Sequence, residues 1–294
     1  MQIRNVNLRL PHDVVMEVAA LRGQLKKTGE AKPVTFDDLD SFSIQVQTGT
    51  ISISSANLAR LLNSSVFAYP DAPLKNIGVT YDAARNRINL KGTMHKGVEL
   101  PFEIEASISV TADGNLGLHA DKIKSAHIPF KGLLHLFGED LSKLVNVNEA
   151  RGIRIEGDDI VLYPGRMVPA PHFEGRLIRA SVKGDRLVQV FDSGEKPKAL
   201  EPPVKARAYL YHRGGVLRFG KLTMDDADLE LVGQSPAAQF EFCAFDYKRQ
   251  LVAGYSKYTP ALGLIEYMPD YSRVRATSPG RAPKPRDAVR PALK

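Results

Sequence analysis

The sequence has few of the residues and segments that form disulfides, cysteine-rich metal sites and membrane-spanning helices. Cys243 is the only cysteine, which excludes an internal disulfide and a cysteine-rich metal site. No stretch reaches the ~18 to 20 consecutive apolar residues that a membrane-spanning helix needs. The opening residues, MQIRNVNLRLPHD, lack the apolar centre of a signal peptide. With 43% apolar and 25% charged residues, the remaining composition is that of an ordinary folded protein.

Catalytic motifs are missing as well. The chain has no G-x-S-x-G elbow, no G-x-G-x-x-G loop and no Walker loop. Its seven histidines form neither H-x-x-x-H nor H-E-x-x-H, so a zinc site would need distant carboxylates. The acidic run at 225–230 has Leu231 where a calcium loop needs glycine, and a turn before a strand explains it more simply. We therefore predict no enzyme, no cofactor and no metal, although carboxylates that pair only in space leave no mark in a sequence.

The net charge of +7 is concentrated at the C-terminal end. Residues 272–294 contain seven basic residues and one acid, which accounts for all but one of the net charges. This segment has four prolines and no aromatic residue, so we predict a disordered basic tail. Such a tail could contact an anionic membrane surface weakly. It lacks the aromatic residues or structured motif that specific nucleic-acid binding needs.

Strict alternation of apolar and polar residues predicts strands over much of the chain. In the clearest strand, Phe102, Ile104 and Ile108 face one way while Glu103 and Glu105 face the other, as in an antiparallel sheet with one wet face. The predicted strands and hairpins occupy 3–10, 14–25, 41–54 with a break at Thr48-Gly49, 77–90, 102–120, 153–162 and 177–191.

The domain organisation follows from one linker-like segment. Residues 192–203 read as a surface linker, and a second β-rich block at 204–231 follows it. That block could extend the first sheet or form a separate domain, and we favour extension. The prediction is therefore a single domain over 1–271, with a β-rich extension at 204–271.

Two segments change to the 3.6-residue period of an amphipathic helix. A short helix is predicted at 56–67, with Ser55 as its N-cap. A long helix is predicted at 129–147, opened by Pro129, with its apolar residues within an arc of about 120°. The predicted fold class is α+β, in which a curved, mostly antiparallel sheet wraps around one long and one short amphipathic helix.

Residues 50–190 resemble bacterial proteins of the tubular lipid-binding (TULIP-like) type, including the mycobacterial envelope lipid-binding group. The resemblance is carried by Leu61-Leu62-Asn63, Leu90-Lys91-Gly92-Thr93, the segment 98–102, Ile128-Pro129 and the hairpin at 152–162. It implies an acyl-chain cavity between a long helix and a rolled sheet, and a location in the periplasm or cell envelope. The block after residue 200 is not covered.

We predict non-enzymatic binding or carriage of lipid, or of another apolar ligand, in a slot between helix and sheet. The alternative is a structural or partner-binding cell-envelope protein whose slot is filled by its own side chains. The expected ligand-binding residues share apolar side chains on the inward faces of the two helices and one strand, and they are Leu58, Leu61, Leu62, Phe102, Ile104, Ile108, Leu133, Leu134, Phe137, Leu141 and Leu144.

Overall fold

The structure is a computed structural model that describes residues 1–29, 33–96, 98–124, 141, 145–235 and 239–276. Strands dominate these residues. In chain order the strands are β1 (Gln2–Arg9), β2 (Val15–Lys27), β3 (Val34–Thr35), β4 (Phe42–Ser54), β5 (Leu74–Asp82), β6 (Arg87–Lys96), β7 (Val98–Val110), β8 (Leu116–Lys124), β9 (Ile153–Glu156), β10 (Asp159–Leu162), β11 (Phe173–Glu174), β12 (Leu177–Lys183), β13 (Arg186–Asp192), β14 (Tyr209–Arg213), β15 (Leu217–Phe219), β16 (Leu222–Met224), β17 (Asp228–Gly233), β18 (Phe240–Phe242), β19 (Tyr255–Tyr258) and β20 (Leu264–Met268). The α-helices are α1 (Ser55–Leu61), α2 (Pro164–Met167), α3 (Tyr247–Ala253) and α4 (Tyr271–Ala276).

The α+β prediction is wrong, because the fold is mostly β and its strands form three sheets. Within the described residues no α-helix exceeds seven residues, so this part of the chain has no long helix inside a wrapped sheet. The error has a physical cause. Alternation identifies a strand but does not say which strands pair, and one continuous sheet was assumed where the chain builds several.

The largest sheet has eleven strands and joins the two ends of the chain. Its order is β12-β13-β4-β2-β1-β14-β17-β20-β19, with β11 beside β4 and β18 beside β1. The block at 204–231 enters this sheet through β14, which pairs antiparallel with β1. β4 is continuous where a break at Gly49 was predicted, because Gly49 pairs with Leu21 on one side and Phe191 on the other.

The second sheet is the one that carries the candidate site. Its six strands run β5-β6-β7-β8-β10-β9, and every neighbouring pair is antiparallel. Phe102 and Ile104 on β7 are buried, whereas Glu103 is exposed, as the alternation predicted. The third sheet is small, with the order β16-β15-β3.

The short helix covers one end of the six-stranded sheet. Its N-cap is Ser54, one residue before the predicted Ser55, and the Ser54 hydroxyl accepts the N–H of Asn57 at 3.2 Å. α1 ends at Leu61 and continues as a π-helical turn, Leu62–Val66. Asn63 ties this turn to β5, because its amide accepts the N–H of Ile77 at 2.9 Å and donates to the carbonyl of Ile77 at 2.7 Å.

The predicted long helix at 129–147 lies mostly outside the described residues. At its C-terminal end, the N–H of Val145 donates to the carbonyl of Leu141 at 3.2 Å, which is a helical i to i−4 bond. Residues 145–148 are not helical, so the predicted end at Val147 is wrong.

The predicted tail also begins too early. α4 covers residues 271–276, and its residues Tyr271 and Val274 are buried against Cys243. Residues 277–294 lie outside the described part of the chain.

Candidate functional site

An apolar cavity lies on the inner face of the six-stranded sheet, under α1 and beside Leu141 and Val145. Among the residues that the structure describes, all that line it are apolar except Lys124. They are Leu58, Leu62, Phe67, Leu74, Ile77, Ile88, Leu90, Met94, Leu100, Pro101, Phe102, Ile104, Leu118, Ile123, Lys124, Leu141, Val145, Ile153, Ile155, Ile160 and Leu162.

The lining follows directly from the strand register. Leu90, Ile104 and Ile123 lie opposite one another on β6, β7 and β8, so alternate residues of three strands form one apolar surface. Gly92 lies opposite Phe102, and a Cβ at Gly92 would come within 3.0 Å of the Phe102 ring. The glycine therefore leaves room for this ring to lie flat against the sheet.

The two ends of the cavity differ in exposure. Ile88, Leu118 and Ile160 form a buried end. Leu74 and Leu100 are half-buried and lie where β5 and β7 begin. The second end is thus the one that a ligand could reach.

The open volume of the cavity is about 50 Å³. For comparison, an engineered apolar cavity of roughly 150 Å³ holds one molecule of benzene. An acyl chain would therefore enter only if lining side chains moved apart. Most of these side chains are leucine, isoleucine and methionine, which are aliphatic and have alternative rotamers.

One wall is held in place by a turn. The N–H of Leu141 donates to Oδ1 of Asp158 at 3.2 Å. Asp158 lies between β9 and β10, and its backbone carbonyl accepts the N–H of Ala120 at 3.0 Å. Leu141, which is 4% exposed, is therefore connected to both the hairpin and β8.

The structure brings together five of the eleven predicted ligand-binding residues. Leu58, Leu62, Phe102, Ile104 and Leu141 all line the cavity. Two others lie elsewhere, and the remaining four, which are Leu133, Leu134, Phe137 and Leu144, lie outside the described residues.

Leu61 and Ile108 are the two that the structure places elsewhere. Leu61 faces a separate apolar space of about 20 Å³ against Met16 and Leu187 of the eleven-stranded sheet, because it lies on the side of α1 that meets that sheet. Ile108 is half-buried and packs against the core outside the cavity. It lies on the same face of β7 as Ile104, but four residues further along the strand. The correct face was predicted for Ile108, but not its depth along the strand.

Sequence reasoning missed the contribution of the hairpin β9–β10. Ile153, Ile155, Ile160 and Leu162 all line the cavity. Their alternation is visible in the sequence. The pairing of β10 with β8 is a long-range contact, however, and no local pattern predicts it.

An aromatic cluster lies in another part of the core. The ring of Phe36 lies within 5.4 to 6.3 Å, centroid to centroid, of Phe42, Phe219, Phe242 and Tyr247, which is the normal range for packed aromatic pairs. Phe36 and its neighbours are thus closely packed, whereas the cavity lining keeps an open volume of about 50 Å³. This open space makes the cavity the candidate site.

The charged and nucleophilic side chains that the structure describes do not cluster into a second candidate site. In the part of the chain that the structure describes, no three His, Cys, Asp or Glu residues cluster as a metal site would require. Within the acidic run, Asp226 and Asp228 pair with Arg213 at 3.4 and 2.6 Å. Burial raises the pKa of the Cys243 thiol to about 12, so this thiol stays protonated at neutral pH.

The comparisons with known proteins add no relative. No protein-family model, no curated protein and no solved structure matches the chain. The resemblance to TULIP-like proteins thus rests on the sequence segments alone and stays a prediction. Among the described helices, none has the length and apolar character needed to cross a membrane.

Proposed function

We propose that the protein binds lipid or another apolar ligand in the cavity of the six-stranded sheet, and that it carries out no catalysis there. The observation that supports this proposal is the lining, whose described residues are apolar at every position but Lys124 and which has one buried and one accessible end. Ligand sites of this type are concave, mostly apolar and few per protein.

The energetics allow the cavity to open for an acyl chain. Burying about ten methylene groups contributes about 8 kcal/mol. Displacing packed side chains costs about 1 to 3 kcal/mol per site of strain. Burial therefore exceeds the strain from moving one or two leucine or methionine side chains.

A structural or partner-binding role is the second candidate. It is favoured by the open volume of only about 50 Å³, which is what a cavity filled by its own side chains would show. Under this role the protein would take up no lipid, and its apolar face would serve stability alone.

The experiment that separates the two is native mass spectrometry of the purified full chain, followed by solvent extraction and titration with a fluorescent polyene fatty acid. Binding predicts co-purified apolar material or saturable uptake at a fixed stoichiometry. A chain that carries nothing and takes up neither the fatty acid nor its methyl ester contradicts the proposal and supports the structural role.

The proposal extends to the compartment. The TULIP-like resemblance supports a location in the periplasm or cell envelope, where lipid carriers work. Fractionation of the cells of origin tests this, and recovery of the protein only from the cytoplasm would contradict it.

A further inference from the structure

Lys124 is the one charged residue among the described residues of the cavity lining. It is the last residue of β8. It also lines a groove of about 450 Å³ on the outer side of the same sheet, together with Asn76, Lys91 and Thr93. Lys124 therefore lies where an apolar space meets a polar one.

Only a thin partition separates the two spaces. Pro101 and Phe102 line both the inner cavity and the outer groove. Phe102 packs over Gly92, which has no side chain, so the sheet is thin at this point. A molecule with its apolar chain in the cavity and its polar end in the groove would have to pass only Pro101 and Phe102.

The described charged residues of the groove carry a net positive charge and form no ion pairs. Lys91 and Lys124 lie on either side of Glu103 in the strand register, which leaves the groove with an excess positive charge. Among the described ion pairs of 4 Å or less, none involves Lys91, Lys124 or Glu103.

The neighbouring charges on the same face behave differently. Glu105 pairs with Arg87 at 2.5 Å and with Lys122 at 3.3 Å. Arg87 also lies 3.4 Å from Asp121. Lys122 therefore forms an ion pair with Glu105, whereas Lys124, two residues further along β8, forms none among the described residues.

From this arrangement we propose that the ligand is an amphiphile with an anionic headgroup, a carboxylate or a phosphate, which binds to the ammonium groups of Lys124 and Lys91 while its chain enters the cavity. This inference rests on the proposed function and narrows it to a ligand class. Lys124 lies opposite Glu103, an exposed residue of β7, and the side chains of opposed strand residues share a face, so its ammonium faces the groove. Asn76 and Thr93 add hydrogen-bond donors for the oxygen atoms of such a headgroup.

The test compares a fluorescent polyene fatty acid with its methyl ester, at a pH where the acid is ionised. The parent should bind the acid more tightly than the ester, and raised salt should weaken binding of the acid alone. Lys124→Met keeps the apolar stem and removes the charge, so it should weaken acid binding about threefold to tenfold and leave the ester unchanged. Lys91→Met should act in the same direction.

Two controls make the comparison specific. Lys122→Met removes a lysine of the same strand that pairs with Glu105, and it should change neither ligand. Lys124→Arg keeps the charge and should bind the acid within about twofold of the parent. Thermal melting of each variant should confirm that it folds.

The possible failures can be told apart. If neither acid nor ester binds the parent, the proposed function itself is wrong. If both bind equally well and Lys124→Met changes neither, the cavity takes a ligand but the anionic headgroup is excluded. If inorganic phosphate alone displaces the acid at comparable concentrations, the groove is a site for free anions, and the amphiphile is excluded.

Discussion

The N–H of Leu141 donates to Oδ1 of Asp158 at 3.2 Å, so a turn residue holds one wall of the cavity. Asp158→Ala removes the acceptor and should lower the free energy of unfolding by about 1 kcal/mol, measured by urea denaturation. Asp158→Asn keeps an oxygen acceptor at the same position and serves as the matched control. Equal losses in both variants would show that the carboxylate charge, and not this hydrogen bond, is what matters.

Leu141 also offers the most direct test of the cavity. The chain has no tryptophan, so Leu141→Trp gives a single emission signal from the wall itself. The larger side chain should fill the cavity at a cost of about 1 to 3 kcal/mol and reduce uptake of the polyene fatty acid. Tyr255→Trp, at a residue that is 51% exposed on β19, is the control and should leave uptake unchanged.

The outcome for Leu141→Trp separates a ligand cavity from a filled core. A folded variant with blue-shifted emission and undiminished uptake would show that Leu141 does not border the ligand. If the parent itself binds nothing and Leu141→Ala costs the 2 to 5 kcal/mol typical of a packed leucine, the self-filled core is the correct description.

Local features of the fold were predictable because neighbouring residues determine them. The alternation at Phe102, Glu103 and Ile104 predicted the buried and exposed faces of β7, since the side-chain period of a strand is two. The short helix and the hairpins were predicted for the same reason. Some bounds are close, as at the N-cap, where Ser54 takes the role expected of Ser55. Others differ by several residues, because β6 continues to Lys96, six residues past the predicted end at Leu90.

The assembly of the sheets was not predictable from these patterns. Gln2 pairs with Tyr211, more than two hundred residues away, and nothing in either segment identifies its partner. The candidate site shows the same limit, because Ile160 joins the cavity only through the pairing of β10 with β8. Arg213 likewise forms ion pairs with Asp226 and Asp228, and these depend on β14 and β17 being neighbours.

The last described helix gives a stability prediction. α4 buries Val274 against Cys243 and Tyr271, and the N–H of Ser272 donates to Glu241 at 3.1 Å. A chain shortened to end at residue 271 should lose about 2 kcal/mol relative to a chain ending at residue 276, because it lacks the burial of one valine side chain. Thermal melting of the two shortened chains measures the difference, and equal melting temperatures would show that α4 adds nothing to the fold.

Glu230 predicts how stability depends on pH. It is fully buried on β17, where Oε2 accepts the N–H of Val204 at 2.8 Å and Oε1 has no hydrogen-bond partner among the described residues. Burial raises its pKa from the ordinary 4.5 to about 7, and the nearby carboxylate of Asp228 adds to the shift. The folded protein therefore holds this proton over a pH range in which the unfolded chain has released it.

The sign of the pH dependence follows from that difference in bound protons. Between pH 4.5 and pH 7 unfolding releases the Glu230 proton, so the contribution of Glu230 to the free energy of unfolding should fall as the pH rises, by up to about 3 kcal/mol across this range. The contribution should be flat below and above it. Glu230→Gln keeps an acceptor for the N–H of Val204 and carries no titrating group, so it should lose most of this slope in urea denaturation series. Glu174→Gln, at an exposed glutamate on β11, should keep the slope of the parent. A Glu230→Gln variant with an unchanged slope would show that Glu230 is ionised in the folded protein throughout, with its charge stabilised by a group other than the N–H of Val204.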